Sequence, residues 1–211
     1  MGPHLNPACT KPSQRNEFLM KNFLLTTALG VSVAAAATAE PVTYVLDASH
    51  SQILFSYNHL GFSRTTGMFS GFEGSIELDA EAPAASSVSV SFPAESLMTG
   101  WPEREGHFMT DDFFGAAANP TVTFASTSIE VTGDNTGLIT GDLTMNGITK
   151  PVVLDATLNQ MADHPMANLP WAGFDATATL LRSDFDMGQF APYVSDEIEI
   201  YISIEAMVPA E

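Results

Sequence analysis

The sequence predicts an all-β protein built as one eight-stranded antiparallel barrel, with one or two short helices between strands. Three observations lead to this prediction. Most of the chain alternates apolar and polar residues with the period of two that a half-buried strand requires. Turn signals separate these runs at hairpin spacing. No strands alternate with long helices, so a parallel sheet is not expected.

The strand signal is clearest near the C-terminus, where residues 197–205 place isoleucine on one face and polar residues on the other. Further runs alternate in the same way over residues 52–58, 87–92, 121–126, 138–144, 152–158 and 174–180. Turns are expected at residues 133–135, 146–147 and 162–165. Residues 95–119 break the period and predict the helical part.

A closed barrel and a flattened sandwich both fit this pattern, and the size of the inward residues favours the barrel. Ala156, Ala176 and Ala178 alternate with larger apolar residues on the inward faces. A small eight-stranded barrel has just enough interior for side chains or for one ligand. Small inward residues leave part of that interior free, which predicts room for a ligand.

The N-terminal part of the chain has the features of a leader. A basic start is followed by an apolar run from Phe23 to Ala37 and by the small residues expected before a cleavage site after Ala39. A transmembrane anchor is the alternative, but the run is short and lacks stop-transfer charges. We predict an over-extended start over 1–19 with Met20 as initiator, a secretory signal peptide over 20–39, and one domain over 40–211.

The mature part is strongly acidic and contains no cysteine. Beyond Ala39 it carries four basic residues against 24 acidic ones, a formal charge of −20. This charge excludes binding to nucleic acid and disfavours docking on anionic lipid, and we interpret it as a solubility feature. Because Cys9 is the only cysteine, no disulfide, thiolate metal site or cysteine nucleophile is expected after the leader.

Residues 50–76 contain the candidate histidines. His50 and His59 are nine residues apart on one predicted strand, so they face opposite sides and a shared metal site is not expected. We expect His50 to close a turn with Asp47 and His59 to point to a pocket mouth, with a purely structural histidine as the alternative for each. Ser51 lies in no Gly-x-Ser-x-Gly elbow. We predict no catalytic site, no metal site and no enzyme activity.

Five short motifs, in order, resemble those of the YceI family of secreted, lipocalin-like proteins. They are the pattern from His50 to Gly74, Asp112-Phe113-Phe114 with residues 119–124, the hairpin 141–152, Arg182-Ser183-Asp184-Phe185, and the strand start 194–198. The match covers residues 44–207, so the set is specific although each piece is weak. Asn146 stands where the family has histidine and Asp186 where it has glycine, which leaves the headgroup specificity open.

The resemblance implies an extended eight-stranded antiparallel barrel, lipocalin-like, around a long apolar pocket. The family is associated with binding polyisoprenoids or other long-chain amphiphiles, such as isoprenoid quinones, in the periplasm. No catalytic activity is implied, and no cofactor is expected beyond a bound isoprenoid lipid or quinone. A periplasmic location is therefore expected for the exported protein.

Aromatic residues on the strands and on the irregular segment are the candidate pocket lining, joined by two polar residues as candidate headgroup contacts. The full set is Phe55, Tyr57, His59, Arg64, Phe69, Phe72, Phe92, Phe108, Phe113, Phe114, Phe124, Phe174 and Phe185. A filled core is the alternative for some of these rings. The three on the irregular segment form either a lid or a plug.

The two arginines near the motifs have different expected roles. For Arg64, which lies in a loop beside the aromatic residues, a headgroup anchor and an ion pair are both open. For Arg182 we expect an ion pair with a neighbour such as Asp184.

The predicted function is a periplasmic carrier that holds a long isoprenoid-type amphiphile in an apolar barrel. Burying about ten CH₂ groups at ~0.8 kcal/mol each gives roughly 8 kcal/mol, near a micromolar Kd. The first alternative is an envelope interaction or stress protein with a filled barrel, which acts by surface contacts. The second is an enzyme acting on an exported substrate. No stable membrane span is expected, and a homodimer is one option for the oligomeric state.

Overall fold

The computed structural model describes residues 40–210, and these residues form a closed antiparallel β-barrel. The predictions for residues 1–39, an over-extended start, a signal peptide and cleavage after Ala39, lie outside the described residues. All described residues fall within one compact unit. Within this part of the chain, no helix is long and apolar enough to cross a membrane.

The structure consists of strands with one short α-helix and three 3₁₀ turns. The strands are β1 (Val42–Leu46), β2 (Gln52–His59), β3 (Ser63–Phe69), β4 (Glu73–Leu78), β5 (Ser87–Pro93), β6 (Thr121–Val131), β7 (Thr136–Met145), β8 (Ile148–Asp163), β9 (Pro170–Leu181) and β10 (Glu197–Met207). The helix α1 spans Pro102–Phe108, and the 3₁₀ turns span Pro83–Ala85, Ala94–Ser96 and Arg182–Phe185.

Eight of the strands close the ring. Their circular order is β1, β4, β5, β6, β7, β8, β9 and β10, and β10 returns to pair with β1. The hairpin β2–β3 continues the wall, because β2 pairs with the same edge of β10 beside β1. Every pairing is antiparallel. The predicted eight-stranded antiparallel barrel with one or two short helices is confirmed.

A kink at residues 47–51 separates β1 from β2 along β10. Leu46 pairs with Ala206 of β10, and Gln52 pairs with Ser203. Between these two pairs, the five residues 47–51 lie opposite only two residues of β10, 204 and 205. Asp47 organises the kink: its Oδ1 accepts hydrogen bonds from the amide (2.9 Å) and hydroxyl (2.6 Å) of Ser49, and its Oδ2 lies 2.6 Å from His50 Nδ1. The predicted turn between Asp47 and His50 is confirmed.

Two of the three hairpin turns lie where the sequence predicts them. Asn146 and Gly147 connect β7 to β8 with φ values of 50° and 71°. Two positive φ values are what a two-residue hairpin turn needs to match the twist of its strands, and Asn-Gly is the dipeptide that adopts them most readily. The turn at residues 133–135 connects β6 to β7 as predicted, but the connection predicted at residues 162–165 lies later, because β8 extends to Asp163 and β9 begins at Pro170.

The inward faces of the strands are apolar along the whole barrel. On β10 the isoleucines at positions 198, 200, 202 and 204 face inward, as their alternation predicts. The packed core lies toward β1, β4 and the segment before β6. It contains Tyr44, Leu46, Phe72, Ile76, Leu97 and Val122 among its buried residues.

The Asp47–His50 pair gives the stability of the barrel a pH dependence. The hydrogen bond to Asp47 raises the pKa of His50. Burial acts to raise the pKa of Asp47, but hydrogen bonds from His50 and Ser49 outweigh it and lower that pKa. Because the pKa of His50 is higher in the folded than in the unfolded protein, the protonated histidine stabilises the fold fully when the pH is below its unfolded-state pKa of about 6.5. This stabilisation is lost as the pH rises through the folded-state pKa.

We therefore expect His50→Gln to lower the urea midpoint of unfolding at about pH 5.5 and to leave it unchanged at about pH 9. The lowered pKa of Asp47 keeps its carboxylate charged at acidic pH, so the pair stabilises the fold until the pH falls through the pKa that Asp47 has in the folded protein. The measurement is urea unfolding of both proteins across this range. An equal effect of the substitution at both pH values would contradict the ion pair.

Candidate functional site

The barrel contains two adjoining chambers of about 350 Å³ each. The first chamber lies between α1, the β2–β3 hairpin and residues 186–194; the second extends through the barrel to the turn at residues 133–136. Four apolar residues line both chambers and form a waist between them: Phe69, Met145, Leu180 and Ile200. The two chambers therefore lie next to each other and share this part of their walls.

Small inward side chains leave the second chamber open. Ala156, Ala176 and Ala178 belong to its wall, as predicted from their alternation with larger residues. The larger inward residues beside them, such as Leu154 and Ile202, are only half-buried although they face the inside of the barrel. Inward side chains in a filled barrel would be fully packed. The interior is thus not filled by the protein's own side chains.

Aromatic rings form a continuous series from one chamber to the other. Ring centroids are 6.4 Å apart for Tyr57 and Phe55, 5.6 Å for Phe55 and Phe69, and 5.1 Å for Phe69 and Phe92. Phe92 lies 5.0 Å from Phe72 in turn. These distances are in the range of favourable ring pairs. The aromatic wall predicted from residues 50–76 therefore spans the waist.

Eleven of the thirteen candidate residues line the interior. The first chamber contains Phe55, Tyr57, His59, Phe69, Phe108, Phe113 and Phe114. The second contains Phe69, Phe72, Phe92, Phe124 and Phe174. The rings at positions 108, 113 and 114 belong to the wall of the first chamber, so they cover it without plugging the barrel.

Arg64 and Phe185 lie away from both chambers. The Arg64 guanidinium forms an ion pair with Glu199 and donates to Ser56 Oγ at 2.7 Å on the outer face of the barrel. Of the two roles open for Arg64, the structure has the ion pair. Phe185 is 1% exposed and packs with Phe113 and Met187 behind the chamber wall.

Arg182 holds the loop over the first chamber through backbone carbonyls. Its Nε donates to Ser195 O at 2.9 Å, Nη1 to Met187 O at 2.6 Å and Gln189 O at 3.1 Å, and Nη2 to Val194 O at 3.0 Å. Burial lowers the pKa of Arg182 while nearby Asp196 raises it; an arginine stays charged under such shifts.

The predicted ion pair between Arg182 and Asp184 is wrong. The guanidinium turns inward to four carbonyls, and Asp184 is an exposed residue of the 3₁₀ turn that follows β9. Proximity in sequence favoured Asp184, but a planar fork of five donors is better satisfied by several carbonyls of a curved loop.

The two departures from the family pattern meet at this loop. Asp186 adopts the left-handed conformation with φ 58°, which glycine would adopt without strain and which aspartate tolerates. Asn146 donates through Nδ2 to Phe185 O at 3.0 Å, and its Oδ1 accepts from Asn119 Nδ2 at 3.4 Å. Asn146 therefore acts as a structural link between the β7–β8 turn and the loop.

The helix α1 adds polar residues to the first chamber that sequence reasoning did not select. Pro102 begins the helix, and the Glu105 carboxylate accepts the amides of Thr99 (2.6 Å) and Gly100 (3.0 Å), which lower its pKa. Arg104 and His107 follow at a spacing of three, which places them on one helix face, and both line the chamber. The spacing of three could have indicated that Arg104 and His107 share a helix face. The sequence did not indicate that this face would lie against the first chamber.

Asp47, His50 and Glu205 form a separate polar cluster outside both chambers. Their potential ligand atoms lie within 4.8 Å of one another. The groups are already engaged, since Asp47 bonds His50 and Glu205 Oε2 accepts the Trp171 indole N–H at 2.7 Å. We interpret the cluster as part of the β1–β2 kink.

Comparison with protein families and curated sequences gives consistent results. A family model described as YceI-like domain matches residues 44–206. A Pseudomonas aeruginosa protein described as a UPF0312 protein is 37% identical over 191 residues, covering 90% of this chain and 99% of that protein. A UPF0312 protein of Pseudomonas syringae pv. syringae is 36% identical, with 90% and 98% covered.

Solved structures have the same barrel. The Campylobacter jejuni YCEI protein superimposes with a TM-score of 0.65 at 29% identity, covering 72% of this chain and 90% of that one. Burkholderia cenocepacia BcnA superimposes with a TM-score of 0.69 at 24% identity, covering 76% of this chain and 98% of that one. A polyisoprenoid binding domain from Saccharophagus degradans superimposes with a TM-score of 0.61 at 13% identity, covering 79% of this chain and 98% of that domain. At such identities the last two establish likeness of fold alone.

We expect Arg182→Lys to loosen the loop over the first chamber while keeping its charge. An ammonium is a compact donor and cannot reach four carbonyls spread along a loop. Hydrogen bonds from charged groups are worth ~1.5–3 kcal/mol each, so the free energy of unfolding should fall by about 2–4 kcal/mol. Amide hydrogen exchange at Met187 and Val194 should accelerate.

Arg64→Lys is the matched control. Because Arg64 is exposed, this substitution should change the free energy of unfolding by less than about 0.5 kcal/mol. Unchanged exchange in residues 186–195 of the Arg182→Lys protein would contradict the anchoring role.

Proposed function

The chain belongs to the YceI-like domain family, and on that premise we propose that it binds one long-chain isoprenoid-type amphiphile in its barrel. A polyprenyl lipid and an isoprenoid quinone are the ligand types considered. The protein would act as a carrier that shields the apolar tail from water. The proposal includes no catalytic step.

One observation supports this proposal above the others: the inward apolar face of the barrel borders open space along its length. Apolar surface that is not covered by other apolar groups is unfavourable in water, because the protein interior gains stability from its burial. A tail that covers this surface gains ~0.8 kcal/mol for each buried CH₂. Burying about ten of them gives roughly 8 kcal/mol before ordering costs, enough for a micromolar Kd.

The shape of the interior fits an elongated tail better than a compact ligand. The two chambers adjoin at the waist formed by Phe69, Met145, Leu180 and Ile200. A flexible chain can pass such a constriction, whereas a rigid ligand would occupy one chamber only. The polyisoprenoid binding domain of Saccharophagus degradans, which shares the fold, lends further support to an isoprenoid tail.

We also propose that the protein works in the periplasm after export. The support is the basic and apolar leader pattern over residues 20–39, together with the absence of cysteine from residues 40–211. Carriage of an apolar lipid is needed where an aqueous space separates two membranes, which is consistent with this location.

The experiment that tests the ligand is native mass spectrometry of the protein purified from its own host. We expect a bound species whose mass corresponds to a prenyl lipid or quinone, released by organic solvent. Protein that carries no lipid and also takes up no prenyl quinone added in vitro would refute the proposal.

A residue in the wall of the second chamber tests where the tail lies. Ala178 faces inward there, so Ala178→Phe should fill space that the tail occupies. Displacing about two or three CH₂ groups at ~0.8 kcal/mol each should weaken binding by about tenfold to a hundredfold. The measurement is fluorescence titration with a long-chain prenyl quinone.

Thr179→Phe is the matched control, since Thr179 is the next residue of β9 and its exposed side chain is on the opposite face. It should bind the quinone as the unmodified protein does. Equal weakening by both substitutions would place the tail elsewhere.

A further inference from the structure

The charges that line the first chamber are opposite in sign to those of the protein. Residues 40–210 contain 23 aspartates and glutamates against four lysines and arginines. Two of these four basic residues, Arg104 and Arg182, line the first chamber, and so do His59 and His107. No aspartate or glutamate belongs to its lining. An acidic protein thus places two of its four basic residues in the lining of one chamber that contains no carboxylate.

The second chamber has the reverse character. Its wall is almost entirely apolar: Asp134 lies at its end in the β6–β7 turn, and the Asp175 carboxylate bonds Ser203 and Tyr201 on the outer face of the sheet. No basic residue belongs to that lining. The two ends of the interior therefore differ in polarity and in charge, so they cannot be equivalent for an amphiphile.

The two arginines of the first chamber have no ion-pair partner among the described residues, although the charge of Asp196 acts on Arg182 from a greater distance. No carboxylate of the described residues lies within ion-pair distance of Arg104 or Arg182. Asp196 is the carboxylate whose charge acts on Arg182. Its own oxygens accept hydrogen bonds from the amide of Ser183 (2.8 Å) and from its hydroxyl (2.6 Å). Arg182 uses its donors on the loop carbonyls, which leaves Arg104 as the free guanidinium.

His107 is a weaker contributor than Arg104. Its Nε2 lies 3.7 Å from Asp112 Oδ2, so a protonated His107 is partly compensated from the outer side. Its ring packs against Phe113 at 5.0 Å and Phe190 at 6.3 Å. The aromatic neighbours orient the imidazole next to Arg104 on the same helix face.

We propose that the ligand carries an anionic headgroup, a phosphate or a carboxylate, held in the first chamber by Arg104 with the tail passing the waist into the second chamber. This inference rests on the proposed function and specifies it. A guanidinium pairs with both oxyanions through two parallel hydrogen bonds, and a half-buried site screens that charge less than open solvent does.

The orientation follows from the same charges. An anionic headgroup in the second chamber would meet apolar side chains and, at the end of the chamber, Asp134, with no cation to balance its charge. In the first chamber it meets the Arg104 guanidinium and the hydroxyl groups of Ser63 and Thr65, and the positive charge of Arg182 lies in the same wall. Like-charge repulsion at one end and attraction at the other select a single direction of entry.

The test uses ligands that share a tail and differ in the headgroup. Geranylgeranyl phosphate and geranylgeraniol supply the phosphate pair, palmitate and hexadecanol the carboxylate pair, and inorganic phosphate alone the free anion. Isothermal titration calorimetry should give at least about tenfold tighter binding for the anionic member of at least one pair. Inorganic phosphate should bind at least a hundredfold more weakly than the phosphate ester.

Two substitutions of Arg104 and one control substitution of Arg64 test whether the preference arises in the first chamber. Arg104→Gln should remove the preference for the anion and leave the affinity for the matched alcohol unchanged, whereas Arg104→Lys should retain most of it. Arg64→Gln removes the same charge from the outer face and should retain it fully. Urea unfolding of each protein verifies that it is folded, and the alcohol titration serves as an internal control.

The outcomes separate this inference from the proposed function. Tight binding of alcohol and anion with equal affinity overturns the anionic headgroup and leaves the barrel as a lipid site. An unchanged preference in Arg104→Gln overturns the role of Arg104. Failure of every amphiphile to bind overturns both proposals, and equal affinity for inorganic phosphate and its ester shows a free-anion site instead.

Discussion

The pairing of β10 on both of its edges is the constraint on which the rest of the barrel depends. One edge pairs with β9 from Glu197 to Met207, and the other pairs with β2 and then with β1. Because the ring closes through this strand, each strand has one inward face and the sheet has no free edge at the closure. The kink at residues 47–51 lets two strands share one edge of β10, which extends the wall into the β2–β3 hairpin.

Closure also explains why the interior stays open. Backbone hydrogen bonds around the ring set the distance across the barrel, so the wall cannot move inward to fill the space beside Ala156, Ala176 and Ala178. Bulky aromatic rings line the other side and the waist. The result is an apolar surface that is available to a tail, with basic residues gathered at one end. Shape and charge of the interior therefore arise from different parts of the chain, the strands and the segments that cover them.

Much of the fold was predictable because strand alternation and hairpin turns are local. The isoleucine face of β10 and the Asn146-Gly147 turn have the geometry that their sequence predicts. The polar part of the site was not predictable in the same way. Arg104 meets the first chamber only because α1 crosses the barrel end, and Arg182 bonds carbonyls of a loop whose path is set by tertiary packing. Arg64, beside the aromatic run in sequence, faces the opposite side of the wall.

The most direct measurement is the affinity of the protein for prenyl alcohols of increasing length, from two isoprene units upward, by calorimetry. If one tail occupies both chambers, each added unit should strengthen binding, by about tenfold or more at ~0.8 kcal/mol per CH₂, until the second chamber is full. Beyond that length the affinity should level off. An affinity that does not depend on tail length would contradict a barrel that holds an extended apolar chain.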